Sequence, residues 1–376
     1  MIYLDNSATT RIDEEVLESM LPWLRDGYGN ASSIYSLGRA ARVAVEDARM
    51  EIAALIGAHP AEITFTSGGT ESNNTILKSC CGPSHLATDV HVGSTEHHAV
   101  LHPAEYLRAS GIGHTLLKVD QTGRLLLEGL ASSNTPTTLV SVMHANNETG
   151  VVQDVSALRH TIPDALLHSD AVQSFGKIPV NVGSMGVDFL SISAHKIHGP
   201  KGVGAMFIRK GIDFKSHQQG GGQERNRRAG TEPVALIVGF AVAARRAAQA
   251  MEQRTTHMKS LITEARRAVV ESIPNIRINT PEDGALPNIL NISFRDAAII
   301  DGEAILQTMD MEGIAVSNGS ACVSGSLQPS HVLLAMGLPP SEAKAAVRIS
   351  VSKDTTPQEI GTAFTLLSKI IRGLRV

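Results

Sequence analysis

The chain has 376 residues, which is enough for one large domain and a smaller one. Hydrophobic residues make up 42% of it and charged residues 19%, which predicts a folded globular protein and excludes an intrinsically disordered one. The formal net charge is −4 without a block of like charges, so nothing indicates nucleic-acid binding, and no apolar run reaches the ~20 residues of a membrane span.

Short β-rich apolar runs alternate with segments of helix length between about residues 60 and 210. We predict seven strands, at Glu62–Thr66, Val90–Thr95, His114–Val119, Leu139–His144, Leu166–Asp170, Val187–Ser193 and Val203–Ile208. Strands separated in this way predict an α/β domain with a mostly parallel, doubly wound sheet. Ligands bind such sheets at the carboxyl ends of the strands. Five candidate residues follow strands closely, namely Gly68, His97, Asn147, Asp170 and Lys196.

The pattern changes after a helical stretch that runs from Glu232 to about Ser272. Three further strands are predicted at Asn288–Phe294, Ile314–Ser317 and Val347–Val351, with helices near Gly302–Glu312, Ser330–Met336 and Pro357–Arg372. This mixture predicts a smaller α+β domain. We therefore assign residues 13–250 to the large domain, and residues 1–12 and 251–376 to the small one.

The segment Ser191–Lys201 places Lys196 just past an apolar strand, with Ser193 and His195 beside it. A lysine at a strand end among small hydrogen-bonding residues is typical of a Schiff-base lysine that holds an aldehyde cofactor. The neighbouring hydroxyl and imidazole suit the cofactor's phosphate. Taken alone, the segment leaves Lys201 as a rival for this role.

The segment Thr66–Asn74 lies between a strand and a helix. Its two glycines, Gly68 and Gly69, allow the backbone to approach an anion, and Thr70 can cap the helix and offer its hydroxyl. The segment has neither a nucleotide P-loop pattern nor a dinucleotide fingerprint, so a small phosphorylated cofactor suits it better. An ordinary capped turn is the alternative and would be preferred if the segment stood alone.

Asp170 ends a predicted strand, and Gln173 follows three residues later. A carboxylate at this place can pair with a protonated pyridine nitrogen and keep the ring an electron sink, while Gln173 can bond the ring's phenolic oxygen. The alternative makes Asp170 a helix N-cap.

His97 and Asn147 each follow another predicted strand. His97 could stack on a flat ring and move protons near neutral pH. Asn147 could donate to the cofactor or to a substrate carboxylate, although Asn and Gly also build ordinary turns. A metal site would need converging His, Cys or Asp ligands, and the pair of adjacent histidines at 97 and 98 has none at metal-ligand spacing, so we predict no metal site.

The three cysteines are too few and too unevenly spaced for a disulfide framework. Cys80 and Cys81 lie on an apolar helical segment and fit buried hydrophobic positions. Cys322 lies among Gly and Ser residues, which is typical of an accessible nucleophile. Arg348 projects from a predicted strand and could bind a carboxylate through both guanidinium nitrogens, or form a surface ion pair.

These segments together resemble cysteine desulfurases of the NifS/IscS type, within the class V aminotransferase-like family of fold-type I pyridoxal phosphate enzymes. The likeness covers essentially the whole chain. Its motifs are Tyr3–Thr10, Thr66–Asn74, Thr95–Val100, Met143–Gly150, His168–Ser174, Ser193–Gly202, Gly220–Thr231 and Ser317–Ser330. The resemblance implies the fold-type I transferase architecture, in which a large domain with a seven-stranded, mostly parallel sheet is joined to a smaller α+β domain that carries the catalytic cysteine.

The resemblance also implies roles for single residues. Lys196 would form the Schiff base, His97 would stack on the ring and transfer protons, and Cys322 would take the sulfur. Asp170, Gln173 and Asn147 would contact the ring, and Arg348 with Asn147 would bind the substrate carboxylate. The residues implied at the phosphate are Gly69, Thr70, Ser193, His195 and, from the neighbouring subunit of a homodimer, Thr231.

The implied reaction is removal of sulfur from L-cysteine, which gives L-alanine and a persulfide on Cys322. An acceptor protein of unknown identity would then receive the sulfur for iron–sulfur cluster assembly, tRNA thiolation or DNA phosphorothioation. The alternatives are a selenocysteine lyase, another class V aminotransferase and a non-catalytic scaffold with the same fold. Because the N-terminal residues carry no signal-peptide pattern, we expect a cytoplasmic protein with reduced thiols.

Overall fold

The computed structural model describes residues 1–82, 86–297, 300–319 and 328–374. Its strands are β1 (Ile2–Tyr3), β2 (Ile63–Thr66), β3 (Asp89–Gly93), β4 (Gly113–Leu117), β5 (Thr138–Ser141), β6 (Leu166–Asp170), β7 (Phe189–Ser193), β8 (Gly204–Ile208), β9 (Ile276–Ile278), β10 (Ile289–Phe294), β11 (Ile314–Ala315) and β12 (Val347–Ser350).

The helices pack around these strands. They are α1 (Glu14–Arg25), α2 (Ser36–Leu55), α3 (Gly69–Cys80), α4 (His98–Ala109), α5 (Val155–Thr161), α6 (Val182–Met185), α7 (Gln223–Asn226), α8 (Val234–Gln249), α9 (Met251–Ser272), α10 (Gly302–Met311), α11 (His331–Ala335), α12 (Pro340–Lys344) and α13 (Pro357–Leu374). Short 3-10 turns lie at Pro60–Glu62, Leu130–Ser133 and Ala194–Lys196.

Seven strands form the large sheet in the order β2-β8-β7-β6-β5-β3-β4. Only β8 runs antiparallel to its neighbours, and the other pairs are parallel. The predicted α/β fold and its mostly parallel seven-stranded sheet are therefore confirmed. Three predicted strands end too late, because the chain leaves the sheet after Gly93, after Leu117 and after Ser141. The residues that follow Gly93 and Ser141 contribute to the cavity described below.

Side-chain alternation along the strands divides the large core into two buried layers. Leu139 and Phe189 pack with the layer that includes α3 and α4, whereas the next residues, Val140 and Leu190, pack with α1, α2 and α8. Successive residues of a strand point to opposite faces of the sheet, so continuous apolar strands bury both faces. The sheet is thus covered by helices on each side, and its carboxyl edge remains available for a ligand.

A separate buried cluster forms around the antiparallel sheet β12-β10-β9. Leu4 from the N-terminal segment joins α9 and α13 in this cluster. The strands β1 and β11 pair in parallel beside it. This distribution is compatible with the proposed division of the chain near residue 250, which stays a prediction.

Among the described helices, none is by itself long and apolar enough to cross a membrane. The helices α8 and α9 meet such a criterion only as a pair, with a bend of 72° between them.

Candidate active site

A cavity of about 390 Å³ opens at the carboxyl ends of β3, β5, β6 and β7. This volume is typical of a site for a small cofactor and its substrate. Nine of the twelve residues to which the resemblance assigns a role line it, namely Gly69, Thr70, His97, Asn147, Asp170, Gln173, His195, Lys196 and Arg348. The topology therefore brings together residues as far apart in the sequence as Gly69 and Arg348.

Lys196 ends the 3-10 turn that follows β7, and its amine lies against the N-terminal segment. Its Nζ donates to the backbone oxygens of Ser7 and Ala8 at 2.5 and 2.7 Å. Burial, with a smaller contribution from the nearby Arg348 charge, lowers the pKa of Lys196 to about 8. A lysine whose pKa is lowered in this way is a better nucleophile at neutral pH. The rival Lys201 is exposed and does not line the cavity.

The turn before α3 is built from glycines for steric reasons. Gly68 has φ 151°, and a side chain at Gly204 would lie 2.7 Å from the Gly68 backbone. Because β8 supports the turn this closely, the backbone amides at the start of α3 lie at the cavity. The expectation that Thr70 caps this helix is wrong, because α3 begins at Gly69 and Gly68 is the capping residue. Thr70 lies in the first turn instead.

Two further groups lie near this turn. The Oγ of Ser193 is buried and has no hydrogen-bond partner among the described residues. It lies 3.8 Å from the position that a Cβ of Gly68 would occupy. The Nδ1 of His195 lies 3.2 Å from the Oγ1 of Thr9, and burial lowers the pKa of His195 to about 4. A neutral His195 can donate one N–H to an anion without adding a charge.

Asp170 is held at both carboxylate oxygens. Its Oδ1 accepts from the backbone N–H of Val172 at 2.9 Å, and its Oδ2 accepts from Nδ2 of Asn73 at 2.6 Å. No helix begins directly after Asp170, since residues 172–177 form turns, so the N-cap alternative is excluded. Gln173 lies on these turns and donates from Nε2 to the Ser7 oxygen. Its buried Oε1 has no partner within the described part of the chain.

His97 is the N-cap of α4. Its Nδ1 accepts the backbone N–H of Ala99 at 3.0 Å, so the neutral ring carries its proton on Nε2. Burial lowers the pKa of His97, and the nearby Asp170 charge opposes this effect. The imidazole is therefore neutral near pH 7 and has one defined donor.

Arg348 reaches the cavity from β12 and is only 4% exposed. Its Nη1 donates to the backbone oxygen of Asn147 at 3.0 Å, and its Nη2 donates to Oδ1 of Asp5 at 2.5 Å. The surface ion pair considered as an alternative is therefore excluded. A substrate carboxylate that binds Arg348 must share the guanidinium with Asp5.

The structure adds residues that the sequence reasoning missed. Ser7, Ala8, Asn73 and Glu148 also line the cavity. Burial raises the pKa of the Glu148 carboxyl to about 7, and Ser330 donates to it. All four lie inside motifs that carry the family resemblance, and this was the one feature of the sequence that could have indicated a role for them. No local pattern indicated that they face the same cavity.

The other three of the twelve residues are not among those that line the cavity in the described structure. Ser193 lies just behind the glycine turn, and Thr231 is exposed on the segment that follows α7. Cys322 lies outside the described residues. Cys80 and Cys81 are buried, as expected for structural positions, and burial raises the pKa of Cys81 to about 12.

The donor set fits pyridoxal phosphate. The glycine turn, the α3 amides, Thr70 and the unpartnered Ser193 Oγ offer donors to a phosphate. Asp170 offers a carboxylate that a protonated ring nitrogen can reach, and Lys196 offers the amine that an aldehyde requires.

Outside the cavity, two aspartates and one histidine lie as close together as the ligands of a metal ion. The candidate atoms of Asp13, His198 and Asp354 lie within 4.8 Å of one another. Asp13 already pairs with Lys353 at 2.9 Å and lies 3.8 Å from Arg254. These cations neutralise the group, so we assign no metal to it.

Comparison with known proteins agrees with this geometry. Residues 2–362 match the family model described as aminotransferase class-V. The cysteine desulfurase IscS of Dictyoglomus turgidum is 43% identical over 378 aligned residues, which cover 100% of this chain and 95% of the relative.

Solved structures show the same relationship. A NifS-like protein superimposes with a TM-score of 0.91 at 37% identity and covers 99% of both chains. A structure described as SspA in complex with cysteine has a TM-score of 0.80 at 32% identity, covering 95% of this chain and 100% of that one. The chain therefore belongs to the aminotransferase class-V family, and within it to the cysteine desulfurases of the NifS/IscS type.

Proposed function

We propose that this chain is a pyridoxal phosphate-dependent cysteine desulfurase that transfers the sulfur of L-cysteine to its own Cys322. The observation that carries the proposal is the shared cavity of Lys196, with its lowered pKa, and Asp170, held by Asn73. Membership of the desulfurase family and a similar protein solved with cysteine support the choice of substrate.

The residues at the cavity would hold different parts of the cofactor. Lys196 would bind its aldehyde carbon, Asp170 its pyridine nitrogen, and Gln173 with Asn147 its phenolic oxygen. The groups that would hold the phosphate are the backbone of Gly69 and the side chains of Thr70, Ser193 and His195. When bound, pyridoxal phosphate supplies a cationic ring that withdraws electrons from the substrate Cα.

The protein's own groups then move protons and sulfur. Lys196, with a pKa of about 8, is suited to take the Cα proton, and His97 offers the proton on its Nε2. Arg348 orients the substrate through its carboxylate. The thiolate of Cys322 attacks the substrate sulfur, so that the new S–S bond forms while the Cβ–S bond breaks. Sulfur is oxidised and Cβ is reduced and protonated, which gives L-alanine and a Cys322 persulfide.

The same proposal includes a homodimer in which Thr231 contacts the phosphate of the partner's cofactor. Its exposed position is compatible with that role, because an exposed hydroxyl is free to reach a second subunit. We further propose a cytoplasmic location, since a thiol that accepts sulfur must stay reduced. A protein acceptor then removes the sulfur for iron–sulfur assembly or another thiolation reaction.

The test is spectroscopic. We expect the purified protein to be yellow, and borohydride reduction followed by peptide mass spectrometry to attach the cofactor to Lys196. The Lys196→Ala variant should lose the label, whereas the exposed-site control Lys201→Ala should keep it. A colourless protein that pyridoxal phosphate cannot reconstitute would contradict the proposal.

A second measurement separates the alternative activities. A desulfurase of this kind releases alanine from L-cysteine and depends on Cys322, whereas an aminotransferase would pass the amino group to a keto acid. We expect alanine without amino transfer. Equal turnover of L-cysteine by wild type and Cys322→Ala, with dithiothreitol present, would remove the persulfide role.

A further inference from the structure

A second, much smaller cavity has Lys196 as one of its walls. Its volume is about 20 Å³, enough for one body of about the size of water. Four cationic side chains line it, namely Lys177, Lys196, Arg254 and Lys353, and no carboxylate among the described residues does. The cavity is therefore small, polar and surrounded by positive charge.

Among these four cations, Lys177 has the least negative charge nearby to balance its own. It is only 7% exposed, and its Nζ donates to the backbone oxygen of Gln173 at 2.8 Å. None of the ion pairs among the described residues includes it. Burial and the nearby Lys196 charge lower the pKa of Lys177 to about 7. A buried ammonium without a counter-charge is costly, so the folded protein gains if an anion lies beside it.

Two further donors in the cavity wall lack partners. Asn288 is fully buried, and neither its Nδ2 nor its Oδ1 has a hydrogen-bond partner in the described structure. The Nε of Arg254 is also buried and unpartnered. Buried polar groups are nearly always hydrogen-bonded, so unpartnered atoms that line one cavity indicate a bound species between them.

The acidic side chains nearby are already engaged. Asp13 pairs with Lys353, Arg254 and Arg246, so it is shared among three cations. Asp354 pairs with Lys353 and is 59% exposed at its side chain. Neither of them is close enough to Lys177 to affect its pKa. Positive charge thus remains in excess at the cavity.

We propose that this cavity binds one small monovalent anion, chloride under ordinary conditions, between Asn288, Arg254 and Lys177. A water molecule would bond Asn288 but would leave the lysine charge uncompensated. A cation would meet a positive wall. The cavity shares Lys196 with the cofactor cavity, but Asn288, Arg254 and Lys177 do not line that larger cavity.

The direct test uses anomalous diffraction from crystals of the wild-type protein grown in chloride and soaked in bromide. We expect an anomalous peak bounded by Asn288, Arg254 and Lys177. Bromide peaks elsewhere on the protein surface would show that the soak had worked. If the cavity then had no peak, only water would bind there and the proposal would be wrong.

Thermal unfolding provides an independent measurement in solution. At equal ionic strength, sodium chloride should raise Tm by about 1–4 °C over sodium gluconate, whose anion is too large to enter, and the effect should saturate. Asn288→Asp places a carboxylate in the cavity and should abolish the difference, while the exposed-lysine control Lys210→Met should keep it.

Equal Tm values for the wild type in the two salts would contradict the anion site. So would an equal chloride effect in the wild type and in Asn288→Asp, because the effect would then be non-specific. If Asn288→Asp does not fold, the bromide peak in the wild type alone decides.

Discussion

Asn73 donates from Nδ2 to Oδ2 of Asp170 at 2.6 Å, and both side chains are buried. This bond joins the first helix after the glycine turn to the end of β6. A charge-assisted hydrogen bond of this kind fixes the orientation of the carboxylate. Asn73 therefore orients the group that is proposed to bind the pyridine nitrogen.

We expect Asn73→Ala to weaken cofactor binding by about 10–100-fold, because the buried carboxylate loses a donor worth about 1–3 kcal/mol. The dissociation constant of pyridoxal phosphate, measured by absorbance after reconstitution, checks this. The control is Asn74→Ala, since Asn74 bonds only backbone oxygens of Thr70 and Ala99 in the described structure. Equal cofactor affinity in wild type and Asn73→Ala would contradict the role of Asn73.

Glu148 should make stability depend on pH. Burial raises the pKa of its carboxyl in the folded protein from 4.5 to about 7. Between these values the folded state keeps a proton that the unfolded state has lost. The Glu148 contribution to stability is therefore present at low pH and is lost as the pH rises through about 7.

Glu148→Gln should remove this dependence, because the amide is neutral throughout and its oxygen can still accept from Ser330. The difference in free energy of unfolding between the variant and the wild type should shift in favour of the variant by on the order of 1–3 kcal/mol from pH 4 to pH 8. Urea unfolding across that range measures the difference. The exposed Glu128→Gln is the control, and a Glu148→Gln curve parallel to wild type would show that the site does not bind the proton in the folded state.

Arg49 and Glu224 form a buried bidentate pair, with distances of 2.7 and 2.8 Å. Glu224, Arg225 and Asn226 all have positive φ, between 48° and 63°, in the segment that leads to Thr231. This backbone region is unfavourable for residues other than glycine by roughly 1–2 kcal/mol each. Glu224 also accepts the backbone N–H of Phe65, so the pair ties this segment to β2.

Glu224→Ala should lower the free energy of unfolding by about 3–5 kcal/mol, because it removes the bidentate partner of the buried Arg49 and leaves only the partly exposed Glu46, at 3.3 Å from its Nε. Chemical denaturation measures the change. The matched control is Glu51→Ala, whose partner Arg245 has a side chain 47% exposed, and its loss should cost less than about 1 kcal/mol. Similar losses in both variants would show that Arg49 is compensated by other groups.

Arg348→Lys tests the substrate carboxylate site. A lysine cannot make the two parallel bonds that a guanidinium makes, so KM for L-cysteine should rise by about 10–100-fold. We expect kcat to change less, because the reacting atoms lie elsewhere. Steady-state alanine production gives both constants. An unchanged KM would indicate that Asp5 retains Arg348 and that another group binds the carboxylate.

The sequence predicted those parts of the site that depend on local patterns. Asp170 ends the mostly buried strand β6, Lys196 follows the buried strand β7, and the parallel order of these strands brings the two residues to the same edge. Asn73, Ser7 and Glu148 gave no such signal, because their contacts with this edge depend on chain segments distant in the sequence. Only the tertiary structure determines which of many polar residues face the cavity.

Errors at the ends of elements have a related cause. Thr70 has a typical capping side chain, but the close approach of Gly204 to Gly68 sets where α3 begins. Asp170 has the side chain of an N-cap, yet it binds Asn73 instead of starting a helix. Packing between distant segments overrode the local preference in both cases.

The central claim is that Cys322 receives the sulfur of L-cysteine. Mass spectrometry of the protein after addition of L-cysteine, without reductant, tests it most directly. We predict a mass increase of one sulfur atom on the peptide that contains Cys322, removed by dithiothreitol and absent from Cys322→Ser and Lys196→Ala. An unmodified Cys322 peptide from a sample that still produces alanine would contradict the account.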